Sequence, residues 1–194
     1  MFDYQALIDR YYPAETPLRD IYMRHCRSVA QKSLQLAESN HLPLDPEEVK
    51  AAAMLHDIGI FLTDADGIHC HGKEPYLAHG RIGADLLRCS GAPEVYARVA
   101  ERHTGAGLTI ADVERLAPAL TPDRSYMPES TLERLICYAD KFYSKNNDMK
   151  EKSLERVRAS IAKFGPDASA RFEALHKEFG SGDPVSDSRD AGHK

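Results

Sequence analysis

With 194 residues, 42% of them hydrophobic and 28% charged, the chain has the composition of one folded domain, long enough to bury a core without disulfides or an obligate partner. A net charge of −5, with no segment that concentrates Lys and Arg, argues against duplex nucleic acid as a partner. No apolar run approaches the roughly 20 residues needed to span a bilayer. Residues 1–5 carry neither the basic start nor the apolar stretch of a secretory signal, so the expectation is a cytoplasmic protein with no membrane partner.

Taken in chain order, the first strong signal is Thr16-Pro17, a capping side chain followed by proline at the first helical position. In the helix it starts, Leu18, Ile21, Tyr22, His25 and Val29 recur at helical spacing, which places His25 on the buried stripe. Asp45-Pro46 starts a second helix, whose face of Val49, Ala52 and Ala53 leads to His56. Further helices are expected from Pro75 to Ser90, ended by Gly91, from Pro93 to Thr104, ended by Gly105, and from Glu129 to Lys145. Each carries one inward-facing His or Asp: His79 beside Ile82, Gly83 and Leu86; His103 after Val95 and Val99; Asp140 after Leu132 and Ile136.

No segment alternates with period two, so no substantial sheet is expected and the fold class is all-α, a compact helical bundle. The polar stretch from Leu62 to Pro75 reads as a loop, and Pro118 to Pro128 as a second irregular connection. Residues 1–180 form one expected domain, with its motif-bearing core at about 17–146, and 181–194, rich in Gly, Ser and Asp, form an expected disordered tail. Cys26, Cys70, Cys89 and Cys137 lie far apart without a C-x-x-C pair, which argues against a zinc ribbon or a thioredoxin-type motif and reads as reduced, mostly structural thiols.

His56 and Asp57 are adjacent, and neighbours on a helix diverge by about 100°. Both can face one ion only at a helix end, and Gly59 is expected to supply the relaxation there. An imidazole and a carboxylate presented together suit a hard or borderline divalent metal.

The order His25, His56-Asp57, Asp140 along a helical chain resembles the HD-domain superfamily of metal-dependent phosphohydrolases, over about residues 17 to 146. The resemblance implies a centre of one or two divalent transition-metal ions, Fe, Mn or similar, with His25, His56, Asp57 and Asp140 on one ion, Asp57, His79 and His103 on the other, and a water or hydroxide between them. Asp57 would then be the bridge and, with Lys141, a catalytic residue. Two cations lower the pKa of such a water and neutralise phosphoryl oxygens as charge develops. Lys141 stands first among expected phosphate-binding groups because many relatives carry Asp-Lys there. Lys73, Arg81, Arg102 and Lys145 are further substrate-binding candidates.

The implied function is hydrolysis of a phosphate ester or phosphoanhydride of a small phosphorylated molecule, a nucleotide among the candidates. One departure opens a competitor. Many hydrolytic members place Lys where this chain has Ile60. Di-iron oxygenases of the same superfamily use a similar ligand set, and a ligand-sensing module without turnover is a third reading.

Other polar residues have blander readings. His69 and His71 fit exposed loop histidines, and Asp64 and Asp66 fit loop-capping residues. Tyr138, Phe142 and Tyr143 fit core packing, and Glu101-Arg102 a surface pair.

Overall fold

In the computed structural model, residues 2–116, 120, 124–145 and 150–182 are described. Their main elements are α1 (Tyr4–Tyr11), α2 (Pro17–Ser39), α3 (Pro46–Leu55), β1 (Thr63–Ala65), β2 (Cys70–His71), β3 (Glu74–Pro75), α4 (His79–Cys89), α5 (Glu94–Arg102), α6 (Ile110–Leu116), α7 (Thr131–Asp140), α8 (Leu154–Ile161) and α9 (Pro166–Phe179). The class is all-α, as the periodicity predicts. None of the described helices is long and apolar enough to cross a membrane.

The two strongest start signals work as the sequence suggests. The Thr16 hydroxyl accepts from Arg19 N and the Asp45 carboxylate from Glu47 N, each satisfying a backbone donor that the first helical turn leaves free. Ser130 and Ser153 cap α7 and α8 in the same way.

The middle of the bundle is α3. Val49, Ala51, Ala52, Ala53, Met54 and Leu55 are all buried, and the helix touches α1, α2, α5 and α7. Three consecutive alanines let neighbouring helices approach closely, while burying Leu55 alone contributes about 2 kcal/mol. The long α2 packs along α3 and α7, and α4 packs along α5. Tyr12 and Tyr22 stack at 4.1 Å, and the Tyr12 hydroxyl donates to Ile58 O at 2.9 Å, which ties α1 to the turn after α3.

The segment between Leu62 and Pro75 is more ordered than a plain loop. It forms a small sheet in the order β2-β1-β3, with β1 antiparallel to β2 and parallel to β3. Strands this short give no periodic signal in a sequence. Four helices also lie outside the expected set: α1, α6, α8 and α9. The expected helix from Glu129 to Lys145 spans only Thr131–Asp140. Residues 118–119 and 121–123 of the expected irregular connection, and 183–194 of the expected tail, lie outside the described residues.

Gly59 plays a different part from the one expected. Its backbone is ordinary right-handed (φ −88°), so it relaxes nothing. A Cβ there would stand 2.4 Å from His79 O and 2.5 Å from Gly83 N, so glycine is required for α4 to press against the turn after α3.

Candidate metal centre

Five of the six expected ligand residues sit at helix ends. His56 and His103 follow the last residues of α3 and α5, Asp57 lies in the turn after His56, Asp140 ends α7 and His79 begins α4. His25 alone comes from mid-helix, on α2. All six are buried, with Asp140 at 7% the most exposed.

The six gather into two groups that share Asp57. In the first, His25 Nε2 and His56 Nε2 are 3.2 Å apart. Asp57 Oδ2 lies 3.1 and 3.2 Å from them, and Asp140 Oδ1 lies 3.0 and 3.5 Å away. In the second, His79 Nε2 and His103 Nε2 are 3.0 Å apart, and each is 3.4 Å from Asp57 Oδ1. Asp57 therefore turns one oxygen to each histidine pair.

Short local hydrogen bonds set the imidazole orientations. The Nδ1 of His56 donates to Ala53 O (2.6 Å), that of His79 to Tyr76 O (2.6 Å) and that of His103 to Ala100 O (2.8 Å). With Nδ1 carrying the proton, the Nε2 atoms of His79 and His103 present lone pairs to each other, and such carbonyl partners are the usual outer support of a metal-bound histidine. Lone pairs facing at about 3 Å repel unless a cation stands between them. An ion bound at about 2.1 Å holds ligand atoms at right angles about 3 Å apart, which matches these spacings. Both Asp57 oxygens are fully buried without a well-directed hydrogen bond, and Oδ1, unlike Oδ2 with Lys145 at 2.7 Å, has no ammonium beside it among the described residues. Buried carboxylate oxygens in that condition are costly except as ligands of a cation. The donor set thus fits one or two divalent ions.

The electrostatics agree. Burial pushes the Asp57 carboxyl up, but the Lys145 ammonium and His56 outweigh it and hold Asp57 well below the usual carboxylate range. Asp140 is held down likewise, by Lys141 and by hydrogen bonds from His25 and His56 against its burial. Burial, helped by His103 and Lys145, pushes His79 down to about 3 despite Asp57, and His103 is also lowered, chiefly by burial. Both are neutral ligands near pH 7. His56 is raised well above its ordinary value, because Asp57, Cys26 and Asp140 outweigh its burial. A proton there competes with a metal ion.

A cavity of about 370 Å³ adjoins the ligands and is lined in part by His79, His103, Asp140 and three lysines, Lys141, Lys145 and Lys152. Lys141 Nζ lies 2.7 Å from Asp140 Oδ2 and donates to His103 O at 3.0 Å. Lys145 Nζ lies 2.7 Å from Asp57 Oδ2 and 5.8 Å from the Tyr76 ring centroid.

The other three basic candidates do not line this cavity. Lys73 is exposed between β2 and β3. Arg81 faces Asp85 one turn along α4 at 3.4 Å. Arg102 is drawn to Glu129 at 2.8 Å and Glu133 at 3.2 Å, on a face of α5 turned from His103. Glu101 is buried against Arg88 at 3.2 Å, so the expected Glu101-Arg102 surface pair does not form. His71 pairs with Asp66 at 2.9 Å on the exposed loop, and His69 is exposed. Tyr138 and Phe142 are core residues, whereas Tyr143 lines the cavity. Sequence reasoning missed Lys152, Thr104 and the α8 side of the cavity. Ser153, a capping serine just after Lys152, was the available signal.

The HD domain family profile matches residues 22–144. Among curated proteins, the chain is 30% identical over 162 residues to a tRNA (cytidine(56)-2'-O)-methyltransferase of Picrophilus torridus, covering 84% of this chain and 42% of that protein. It is 31% identical over 176 residues to the protein of the same name from Thermoplasma volcanium, covering 90% and 46%. It is also 34% identical over 121 residues to the uncharacterized protein MJ0778 of Methanocaldococcus jannaschii, covering 61% and 63%. The chain thus spans less than half the length of the two methyltransferases. No solved structure gives a significant match. On the match to residues 22–144, this chain belongs to the HD domain family.

Proposed function

We propose that this chain is a metal-dependent phosphohydrolase that cleaves a phosphate ester or phosphoanhydride of a small molecule with water. The observation that carries the reading is the split carboxylate of Asp57, one oxygen to each histidine pair, beside a cavity lined by three lysines. Metal ions bound by these ligands would supply Lewis acidity to water and to phosphoryl oxygens.

The residues of the chain do the rest. His25, His56, Asp57 and Asp140 would hold one ion, and Asp57, His79 and His103 the other. Lys141 and Lys145, fixed on Asp140 and Asp57, direct ammonium protons toward phosphoryl oxygens in the cavity. They stand in for the lysine that many hydrolytic relatives carry at the position of Ile60, which here is buried in the core.

The name of the two longer relatives describes proteins more than twice the length of the shared segment, and nothing in the six-ligand cluster serves methyl transfer. A di-iron oxygenase is the second reading, because the same ligand set suits it. One experiment separates the two: a screen of phosphorylated metabolites with Mn- or Fe-loaded protein, run in air and without oxygen, following inorganic phosphate. Phosphate release in both atmospheres is the expected result. Substrate loss that requires oxygen and yields no phosphate would overturn the reading.

A further inference from the structure

The three cavity lysines are not equivalent. Lys141 and Lys145 are each ion-paired to a ligand carboxylate at 2.7 Å. Lys152 is not: its Nζ donates to Lys141 O at 3.1 Å, and it has no carboxylate within ion-pair distance among the described residues. An ammonium partly withdrawn from water, beside two others, is unfavourable unless an anion joins it.

Lys152 is also held in place. Its backbone N–H donates to Phe142 O at 2.8 Å. The preceding residue, Glu151, is bonded by the buried Lys32 at 2.6 Å and by the Tyr143 hydroxyl at 3.1 Å, and Lys32 lies 4.3 Å from the Phe142 ring centroid. So many bonds for a short segment fix the base of the Lys152 side chain at the cavity wall before any ligand arrives, which lowers the entropic cost of binding.

Charge and shape then specify a ligand. Three ammoniums and one carboxylate, Asp140, line the cavity, with Asp57 paired to Lys145, and bound divalent ions would add further positive charge. The stretch of chain that follows Lys152 adds an apolar part to the lining, Val157, Ile161 and Phe164, with Ser160 among them. The volume of about 370 Å³ is far larger than one phosphate needs and lies in the range of sites for whole small molecules.

We propose that Lys152 binds a second anionic group of the substrate, so that the molecule processed at the metal centre carries an anion at each end and an apolar or weakly polar middle lying on Val157 and Ile161. The second anion is a phosphate or a carboxylate. The proposal rests on the phosphohydrolase reading for the group that reacts, while the recognition by Lys152 can be measured without turnover.

The test uses the metal-loaded full chain. Alkane bisphosphonates from methylene to butylene, and phosphono-carboxylates of the same lengths, are titrated calorimetrically against monophosphonates of equal length. At least one two-ended ligand should bind about tenfold more tightly than its one-ended partner, the worth of one charge-assisted hydrogen bond. Lys152→Met should erase that ratio and Lys152→Arg should restore most of it. Lys152→Gln, which keeps a polar side chain, serves if the Met variant does not fold. Whether phosphate or carboxylate gains more identifies the second anion. Equal binding of one- and two-ended ligands at every length, or a ratio untouched by Lys152→Met and Lys152→Gln, overturns the proposal. Because none of these ligands is hydrolysed, failure of the phosphohydrolase reading would appear only in the phosphate-release screen.

Discussion

Lys145 places its ammonium 2.7 Å from Oδ2 of Asp57, the same oxygen that faces His25 and His56, while Oδ1 of that carboxylate is left to His79 and His103. The ammonium and the metal ligands thus share one buried oxygen, and Asp57 governs both.

Replacing Asp57 with Asn keeps the size of the side chain and removes its charge. We expect metal content, read by elemental analysis after reconstitution with Mn or Fe, to fall to background together with phosphate release. Full loading of the Asp57→Asn protein would refute a shared bridge. The fold should weaken as well, because the Lys145 ammonium is left buried 2.7 Å from an uncharged amide, so retained helicity is checked by circular dichroism beside metal content.

His79 touches only the second group of ligand atoms. The His79→Ala variant should lose one ion and keep the other, so metal per chain drops by about half of the wild-type value on the two-ion reading. Retention of both ions would remove His79 from the ligand set.

Acid should weaken the metal-free fold in a defined window. Folded His79 remains neutral down to about 3, whereas the unfolded chain takes up a proton there below about 6.5. The unfolded state then binds more protons, and stability declines as pH falls from about 6.5 toward 3. Asp57 and Asp140, held low in the fold, add to the loss below the ordinary carboxylate range. His56 is raised and acts oppositely, but its contribution is complete once pH is below its unfolded value and is lost only as pH rises. The unfolding midpoint of chelator-treated protein should therefore be lower at pH about 4.5 than at about 6.5. An equal or higher midpoint at the acidic pH would contradict the neutral, buried state of His79.

Gly59→Ala places a methyl group against backbone atoms that cannot rotate away, 2.4 Å from His79 O and 2.5 Å from Gly83 N. We expect a loss of about 2–3 kcal/mol in denaturant unfolding. Weaker binding of the second ion should accompany it, because His79 is the residue pushed aside. Unchanged stability would mean that α4 does not approach the turn as described.

Of the four cysteines, only Cys89 is exposed. Burial pushes Cys70 and Cys137 up to about 11, so neither presents a thiolate near pH 8. A thiol reagent should label one cysteine in the native protein and four after denaturation. Rapid native labelling of Cys137 would show that the α7 core is looser than drawn.

Much of the bundle was legible because α2 and α3 open with strong punctuation, Thr16-Pro17 and Asp45-Pro46, and because apolar residues at helical spacing lead directly to His25 and His56. The short α1 and α8 offer only two turns of pattern, too little to stand above background. The expected ligand residues do gather, but the cavity beside them was only partly readable. Arg102 and His103 are neighbours in sequence, yet at the end of α5 they point to different places, one to Glu129 and Glu133 and the other to Asp57. Lys145 lies beyond the end of α7, where the chain turns and helical periodicity no longer gives direction. Lys152 reads as one member of a solvated charge run, Lys150-Glu151-Lys152, until the fold carries it to the cavity.

The placement of ligands at helix ends gives the backbone a field of its own. Three helices, α3, α5 and α7, end at the cluster with their C-termini, where the negative end of each helix dipole amounts to roughly half a charge. Among the described helices, α4 begins there, offering a positive end in partial return. The peptide framework therefore attracts cations before any side chain is counted, and it repels the oxygens of a phosphorylated substrate. On this view, the lysines around the cavity screen the substrate from the helices that make the metal site attractive.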